Sequence, residues 1–194
     1  MANSNAPTGL RPVKYRSGAP YNGACNTYSV PASDGTALFV GDPVIIAGSA
    51  DANGVPTITR ATAAGGAYIS GVVVGFEPLR TDLTTLHRAA STLRNVYVAD
   101  DPNLVFEIQE DALPSTPLAV ADVGLNADLI ATQAGSTTTG KSGWQLDTST
   151  KATTNTLQLR IEGFVQREDN EVGVANAKVL VSINLHQSRN LTGV

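Results

Sequence analysis

Cysteine is nearly missing: Cys25 stands alone in 194 residues. An intramolecular disulfide and a multi-cysteine zinc site are both excluded. A single cysteine of this kind reads as a small buried hydrophobe rather than a nucleophile. Charge is scarce as well, with Asp, Glu, Lys and Arg at 15% of the chain against roughly 25% in an average globular protein. Thr, Ser, Ala, Asn and Gly take the surface positions instead, and a surface so poor in charge suits contact with a partner.

The formal net charge is −4 and the pI about 5.1, with no cluster of Lys and Arg. Nucleic acid is therefore not expected as a ligand, because phosphate binding needs clustered cations. Only Arg11, Lys14 and Arg16 lie close together, in a stretch without an acid before Asp34. They fit an acidic protein surface or an ordinary solvated tail. No apolar run reaches the roughly 18 residues of a membrane span. Met1-Ala2-Asn3-Ser4-Asn5 has neither the basic nor the apolar region of a signal peptide, so no membrane partner is expected.

Histidine is equally thin. His87 and His186 are the only two, and neither stands at metal-ligand spacing from a second His or Cys. No Gly-x-Ser-x-Gly elbow is present to point to a serine nucleophile. Carboxylates gather in Asp100, Asp101, Glu107, Glu110 and Asp111, a composition that could serve acid-base work or calcium. Glu107 and Glu110 point to opposite faces of a strand, however, and Asp100 and Asp101 suit a turn for their backbone hydrogen bonding alone. Gly135 to Ser142 spells Gly-x-x-x-x-Gly-Lys-Ser. The phosphate loop it imitates needs a buried strand before it and a helix after it, and Gly143-Trp144-Gln145-Leu146 has no helical period. No catalytic residue, metal or cofactor is expected.

What the chain does contain is turn residues and short β-branched runs. Residues 1–24 carry Pro7, Gly9, Pro12, Gly18, Pro20 and Gly23 and read as an extended arm that neither coils nor pairs as a central strand. Leu10, Val13, Tyr15 and Tyr21 are spread along it as anchors. Residues 25–187 read as a single β-rich domain and 188–194 as a polar C-terminal tail. Strands are expected near Tyr28–Val30, Leu38–Val40, Val44–Ile46, Val55–Arg60, Tyr68–Phe76, Asn95–Ala99, Leu104–Gln109, Leu118–Val123, Gly124–Thr132, Trp144–Leu146, Thr156–Val165 and Lys178–Leu185, with turns such as Asp51-Ala52-Asn53-Gly54 between them. The Val72-Val73-Val74 run suits a strand buried on both faces. Leu83, Leu86, Ala90 and Leu93 fall at helical spacing behind Thr81 or Asp82, which predicts a short helix; a loop with buried leucines is the competing reading. Residues 133–143, nearly all Gly, Ser and Thr, read as a mobile loop. The fold class is all-β, a sandwich, jelly roll or barrel of about nine to eleven short strands with at most one short helix.

Four stretches carry a family likeness: Asn5-Ala6-Pro7-Thr8-Gly9-Leu10-Arg11-Pro12, Gly41-Asp42-Pro43-Val44, Gly71-Val72-Val73-Val74-Gly75-Phe76, and the run from Tyr97 to Glu110. Over about residues 5–185 the chain resembles the cement, or decoration, proteins that stabilise the heads of tailed bacteriophages. The resemblance implies a virion protein, made in the host cytoplasm, that sits on the outer capsid surface and bridges major capsid protein subunits. Leu10, Arg11, Pro12, Tyr15, Arg16 and Tyr21 are the expected capsid or subunit contacts. A homo-oligomer is expected, with a trimer matching a capsid's local three-fold positions better than a dimer. Another virion role in tail or head completion, a cell-surface or carbohydrate-binding module, and an enzyme remain as alternatives.

Overall fold

Twelve strands and three single-turn 3-10 helices build the protein in the computed structural model, which describes residues 3–111 and 116–189. The first half closes into a barrel in the order β2 (Asn26–Val30), β4 (Pro56–Arg60), β3 (Pro43–Ala50), β5 (Gly71–Phe76) and β6 (Arg94–Ala99). The second half is an antiparallel sheet in the order β1 (Arg11–Tyr15), β7 (Leu104–Gln109), β12 (Lys178–Ile183), β11 (Leu159–Phe164) and β8 (Asn126–Ala127). A two-stranded ribbon of β9 (Leu129–Ile130) and β10 (Gln145–Leu146) covers part of it. The all-β expectation is met.

Local chemistry fixes the turns. Between β3 and β4, Asp51 Oδ1 accepts the backbone N–H groups of Asn53 (2.8 Å) and Val55 (2.9 Å), and Gly54 takes a positive φ. Between β6 and β7, Asp101 Oδ1 accepts from Asn103 N at 2.7 Å, so the chain leaves the barrel and enters the sheet in one tight turn.

Each half has its own core, and β5 is shared between them. Val72 packs into the larger core with Phe106, Ile161 and Val181, while Val73 points the other way into the barrel with Val30, Leu38, Val44, Ile58 and Val96. Strand alternation delivers one valine to each core, which is why the run is continuous rather than alternating.

The N-terminal segment is a strap on this body. Asn3 exchanges hydrogen bonds with the backbone of Glu171 (2.9 and 2.8 Å), and Ala6 N donates to Gln109 Oε1 at 3.1 Å. Leu10 N donates to Gly41 O at 3.0 Å, its side chain enters the larger core, and β1 then pairs with β7 as an edge strand. Burying a leucine contributes about 1.5–3 kcal/mol. Where the strap crosses the barrel, Gly9 (φ 69°) and Gly41 (φ 98°) lie backbone on backbone, and a Cβ at either would overlap the other strand's carbonyl oxygen.

The C-terminal segment returns from the sheet to the barrel as a second clasp. Gln187 Oε1 accepts from Ile46 N (3.0 Å) and from the Ser70 hydroxyl, and Gln187 N donates to Ile69 O at 2.9 Å. His186 is buried, and its Nδ1 accepts from Ser188 N at 3.2 Å, so the proton of the neutral ring sits on Nε2. Of the tail read as 188–194, Ser188 and Arg189 belong to a 3-10 turn and residues 190–194 lie outside the described residues.

The strand expected at Leu38–Val40 is reduced to isolated bridges to Arg88 and Lys141, because each bridged residue pairs with a different loop, and four further expectations fail for physical reasons. The helix predicted between Thr81 and Leu93 is absent: Arg94 takes the carbonyls of Thr85 (3.3 Å) and His87 (2.5 Å) that a helix would bond, and Arg88 N donates out of the segment to Leu38 O at 2.9 Å. Residues 133–143 are pinned rather than mobile, because Val40 N donates to Gly140 O (2.8 Å) and Ser142 N to Val40 O (2.9 Å). Leu118–Val123 contains a 3-10 turn, Val120–Asp122, held by Asp122 Oδ2 accepting from Ala119 N at 2.8 Å. Cys25 is exposed, since the preceding Asn22-Gly23-Ala24 turn carries it away from both cores.

Two outcomes follow from these clasps. Gly41→Ala meets both a disfavoured φ and the Thr8 carbonyl, and should destabilise by about 3 kcal/mol or more in urea unfolding; Gly54→Ala, with a positive φ but open space around it, should cost about 1 kcal/mol. His186 has its pKa lowered below the usual 6.5, chiefly by burial and further by Arg189, with Asp100 and Asp101 opposing. A depressed histidine contributes stability that is complete above the unfolded pKa and is lost as pH falls from there through the lower folded pKa. Melting temperature should therefore drop between pH 7.5 and 5.5 in the wild type, and His186→Gln should lack that step.

Candidate interaction surface

Three clefts neighbour one another and share wall residues. The first, of about 310 Å³, is walled by Leu10, Pro12, Tyr21, Val40, Val73 and Val74, with Arg11 and Lys141 as its cations. Through Val40 it joins a second, of about 250 Å³, between Phe76, Pro78, Leu83 and Leu86. Through Thr8 and Lys141 it joins a third, of about 300 Å³, beside Pro7 and Gln133. The groove therefore follows the strap and ends at residues 77–93.

That last segment carries three of the four most exposed large apolar side chains among the described residues. Leu83 is 76% exposed, Leu93 62% and Leu86 51%. An isolated exposed leucine is ordinary, but three within eleven residues beside an apolar cleft mark a contact surface. The segment keeps its shape without a helix because Arg88, fully buried, donates to the carbonyls of Thr92 (2.8 Å), Thr36 (2.5 Å), Pro31 (2.7 Å) and Asp34 (2.8 Å). Among the described residues its one carboxylate partner, Asp34, is 3.9 Å away, so neutral carbonyl dipoles carry most of the charge compensation. Arg94 adds bonds to the carbonyls of Glu77 (3.1 Å) and His87 (2.5 Å), and its guanidinium lies 5.1 Å from the Phe76 ring centre. Phe39 and His87 stack at 5.0 Å beneath the loop. Aliphatic side chains thus stand in water on a rigid base, at low entropic cost of ordering on contact.

Of the six arm residues that the sequence singles out, Leu10, Arg11, Pro12 and Tyr21 meet in the first cleft. Leu10 is buried there as wall, and Arg11 is engaged with Glu107 at 2.6 Å. Tyr15 lies elsewhere, opposite Leu104 in the sheet. Arg16 is also away from the groove, donating to Glu162 (2.5 Å) and Ser182 (2.9 Å). Most of the arm's chemistry is spent on its own chain. Leu83, Leu86 and Leu93 are the residues that sequence reasoning placed wrongly: their spacing is that of a buried helical stripe, and only the arginine-held loop turns them outward.

The acidic residues do not assemble. Glu107 bridges Arg11 and Arg167 (3.1 Å) on one side of the sheet. Glu110 is buried on the other side, accepting from Leu118 N at 2.7 Å, and burial raises its pKa. Asp111 accepts the Thr148 hydroxyl at 2.9 Å. Among the described residues no three His, Cys, Asp or Glu side chains are grouped to hold a metal.

Family models, curated proteins and solved structures give no match to this chain. Removing the arginine base should be costly: Arg88→Lys cannot reach four carbonyls and should lower stability by about 3–5 kcal/mol. Limited proteolysis should then cut within residues 77–93 before the barrel strands.

Proposed function

We propose that this chain is a non-catalytic virion structural protein that binds the outer surface of a tailed-phage capsid and bridges its major capsid protein subunits. The observation that carries the reading is the apolar cleft lined by the exposed Leu83 and Leu86, with exposed Leu93 on the same rigid loop. Sequence likeness to capsid cement proteins supplies the identity of the partner. The low charge of the chain adds support, since a shell-bound face needs little of it.

The fold suits a clip under load. Both edges of the sheet are backed: Tyr15 N and Tyr21 N tie residues 19–21 onto β1 (2.8 and 3.0 Å), and Asn126 pairs with Ala152 beside β8. Covered edges protect many crowded copies from pairing with one another. Each bound clip must be pulled off before the seam beneath it opens, so its binding free energy adds to that of the shell, and many copies share the load. A homo-oligomer, best a trimer, would place several grooves around one capsid symmetry axis. A role in the tail or in head completion differs in copy number, which the same experiment reads.

Purified protein mixed with expanded capsids that lack it should sediment with them, saturating at a fixed ratio to the shell subunit. The double variant Leu83→Asp/Leu86→Asp should bind at least about 100-fold more weakly, with its melting temperature unchanged because both side chains face water. Val120→Asp, at a 73% exposed site outside the groove, should bind normally. Equal binding by all three proteins would overturn the assignment of the groove.

A further inference from the structure

Beside the C-terminal clasp, away from the groove, a pocket of about 200 Å³ opens between Tyr28, Ile46, Ser70, Asp100, His186, Gln187 and Ser188. Its polar groups are set in fixed roles by bonds around it. Asp100 accepts the Tyr28 hydroxyl at 2.6 Å and the Asn26 amide at 3.0 Å, which holds its carboxylate as a pure acceptor in the wall. Burial and that bond to Asp100 raise the Tyr28 pKa, so the phenol keeps its proton, gives it to Asp100 and leaves its oxygen as an acceptor toward the pocket.

Gln187 accepts at Oε1 from Ile46 N and the Ser70 hydroxyl, which fixes the amide and leaves its Nε2 as the group able to donate. Ser188 Oγ lies 2.8 Å from His186 Nδ1. His186 Nε2, in the same wall, is buried without a hydrogen-bond partner. Ile46 and the Tyr28 ring supply the apolar part.

Asp100 and the Tyr28 oxygen as acceptors, the Gln187 amide nitrogen as a donor and the apolar Ile46 and Tyr28 ring line one pocket, a mixture that complements hydroxyl groups carried on a carbon ring, because each hydroxyl both donates and accepts. Anions are disfavoured by Asp100 and by Asp101 next to it. Cations meet a carboxylate already shared among neutral donors, with Arg189 held close by its bond to Pro102 O at 2.7 Å. The volume lies below the roughly 300–1,000 Å³ of sites that take drug-sized ligands.

We propose that this pocket binds one neutral monosaccharide ring, recognised by Asp100, Tyr28 and Gln187. The proposal stands independently of the shell-binding groove, with which the pocket shares no residue.

The test uses the full chain with glucose, galactose, mannose and N-acetylglucosamine as separate probes, and methylammonium and inorganic phosphate as the charged alternatives. Saturation-transfer NMR and calorimetry should give a Kd of roughly 1–50 mM for at least one sugar. Asp100→Asn and Tyr28→Phe should each weaken it at least about 10-fold, and circular dichroism should show both variants folded. No saturable binding of any of the four sugars up to about 100 mM would overturn the proposal. So would sugar binding that both folded variants retain unchanged, or saturation by methylammonium or phosphate in place of the sugars.

Discussion

The structure depends on one crossing of two backbones. At Gly9 and Gly41 the N-terminal strap passes over the barrel with no room for a Cβ on either strand, and Leu10, one residue on, is anchored to Gly41 O and sunk in the sheet's core. The segment Leu38–Asp42 is bonded on every side at this point: Leu38 to Arg88, Val40 to Gly140 and Ser142, Gly41 to Leu10 and Val73, and Phe39 N to the buried Asp42 carboxylate at 2.9 Å. Strap, barrel, pinned Gly-Ser-Thr loop and leucine loop therefore converge on five residues. Loss of that junction would separate two cores that otherwise share only β5 and its neighbours.

The same junction explains where the apolar groove lies. Its three clefts are the seams left where the strap and two loops meet the barrel, and Val40, Thr8 and Lys141 are the residues held in common. The leucines stay exposed because Arg88 and Arg94 draw backbone carbonyls inward and turn the side chains of the loop outward. Burying a guanidinium among neutral carbonyls is costly unless every donor is answered, and Arg88 has four carbonyl partners. A contact surface built this way is preorganised, which suits a protein whose proposed work is to hold a seam shut rather than to change shape.

Much of the architecture is legible in the sequence. β2 to β7, β11 and β12 follow alternation, β-branched runs and turn residues, and the two-core role of Val72 and Val73 is foreshadowed by an unbroken apolar run. The two-residue strands β8 and β9 are too short for a periodic signal of their own within the run read over 124–132, whereas β10 falls in the strand expected at Trp144–Leu146. The docking of the arm is invisible for a different reason: proline and glycine say that Thr8–Pro12 is extended, but what it lies against is decided by Gly41 and Ser142, far along the chain. The leucine loop misleads because periodicity reports spacing and not which side chain will take a carbonyl; the bonds from Arg88 to Pro31 and Thr36 span more than fifty residues. Leu10, Arg11, Pro12 and Tyr21 could be singled out as anchors, whereas their use on their own chain could not.

Native-state hydrogen exchange at the Leu10 amide tests the central claim most directly, because that N–H is donated across the crossing to Gly41 O. If the strap is an integral part of the fold, Leu10 exchanges only with global unfolding, at the same free energy as Val73 and Val181 in the two cores. A Leu10 amide that exchanges many-fold faster while those core amides stay protected would show the strap detaching on its own, and would contradict the account.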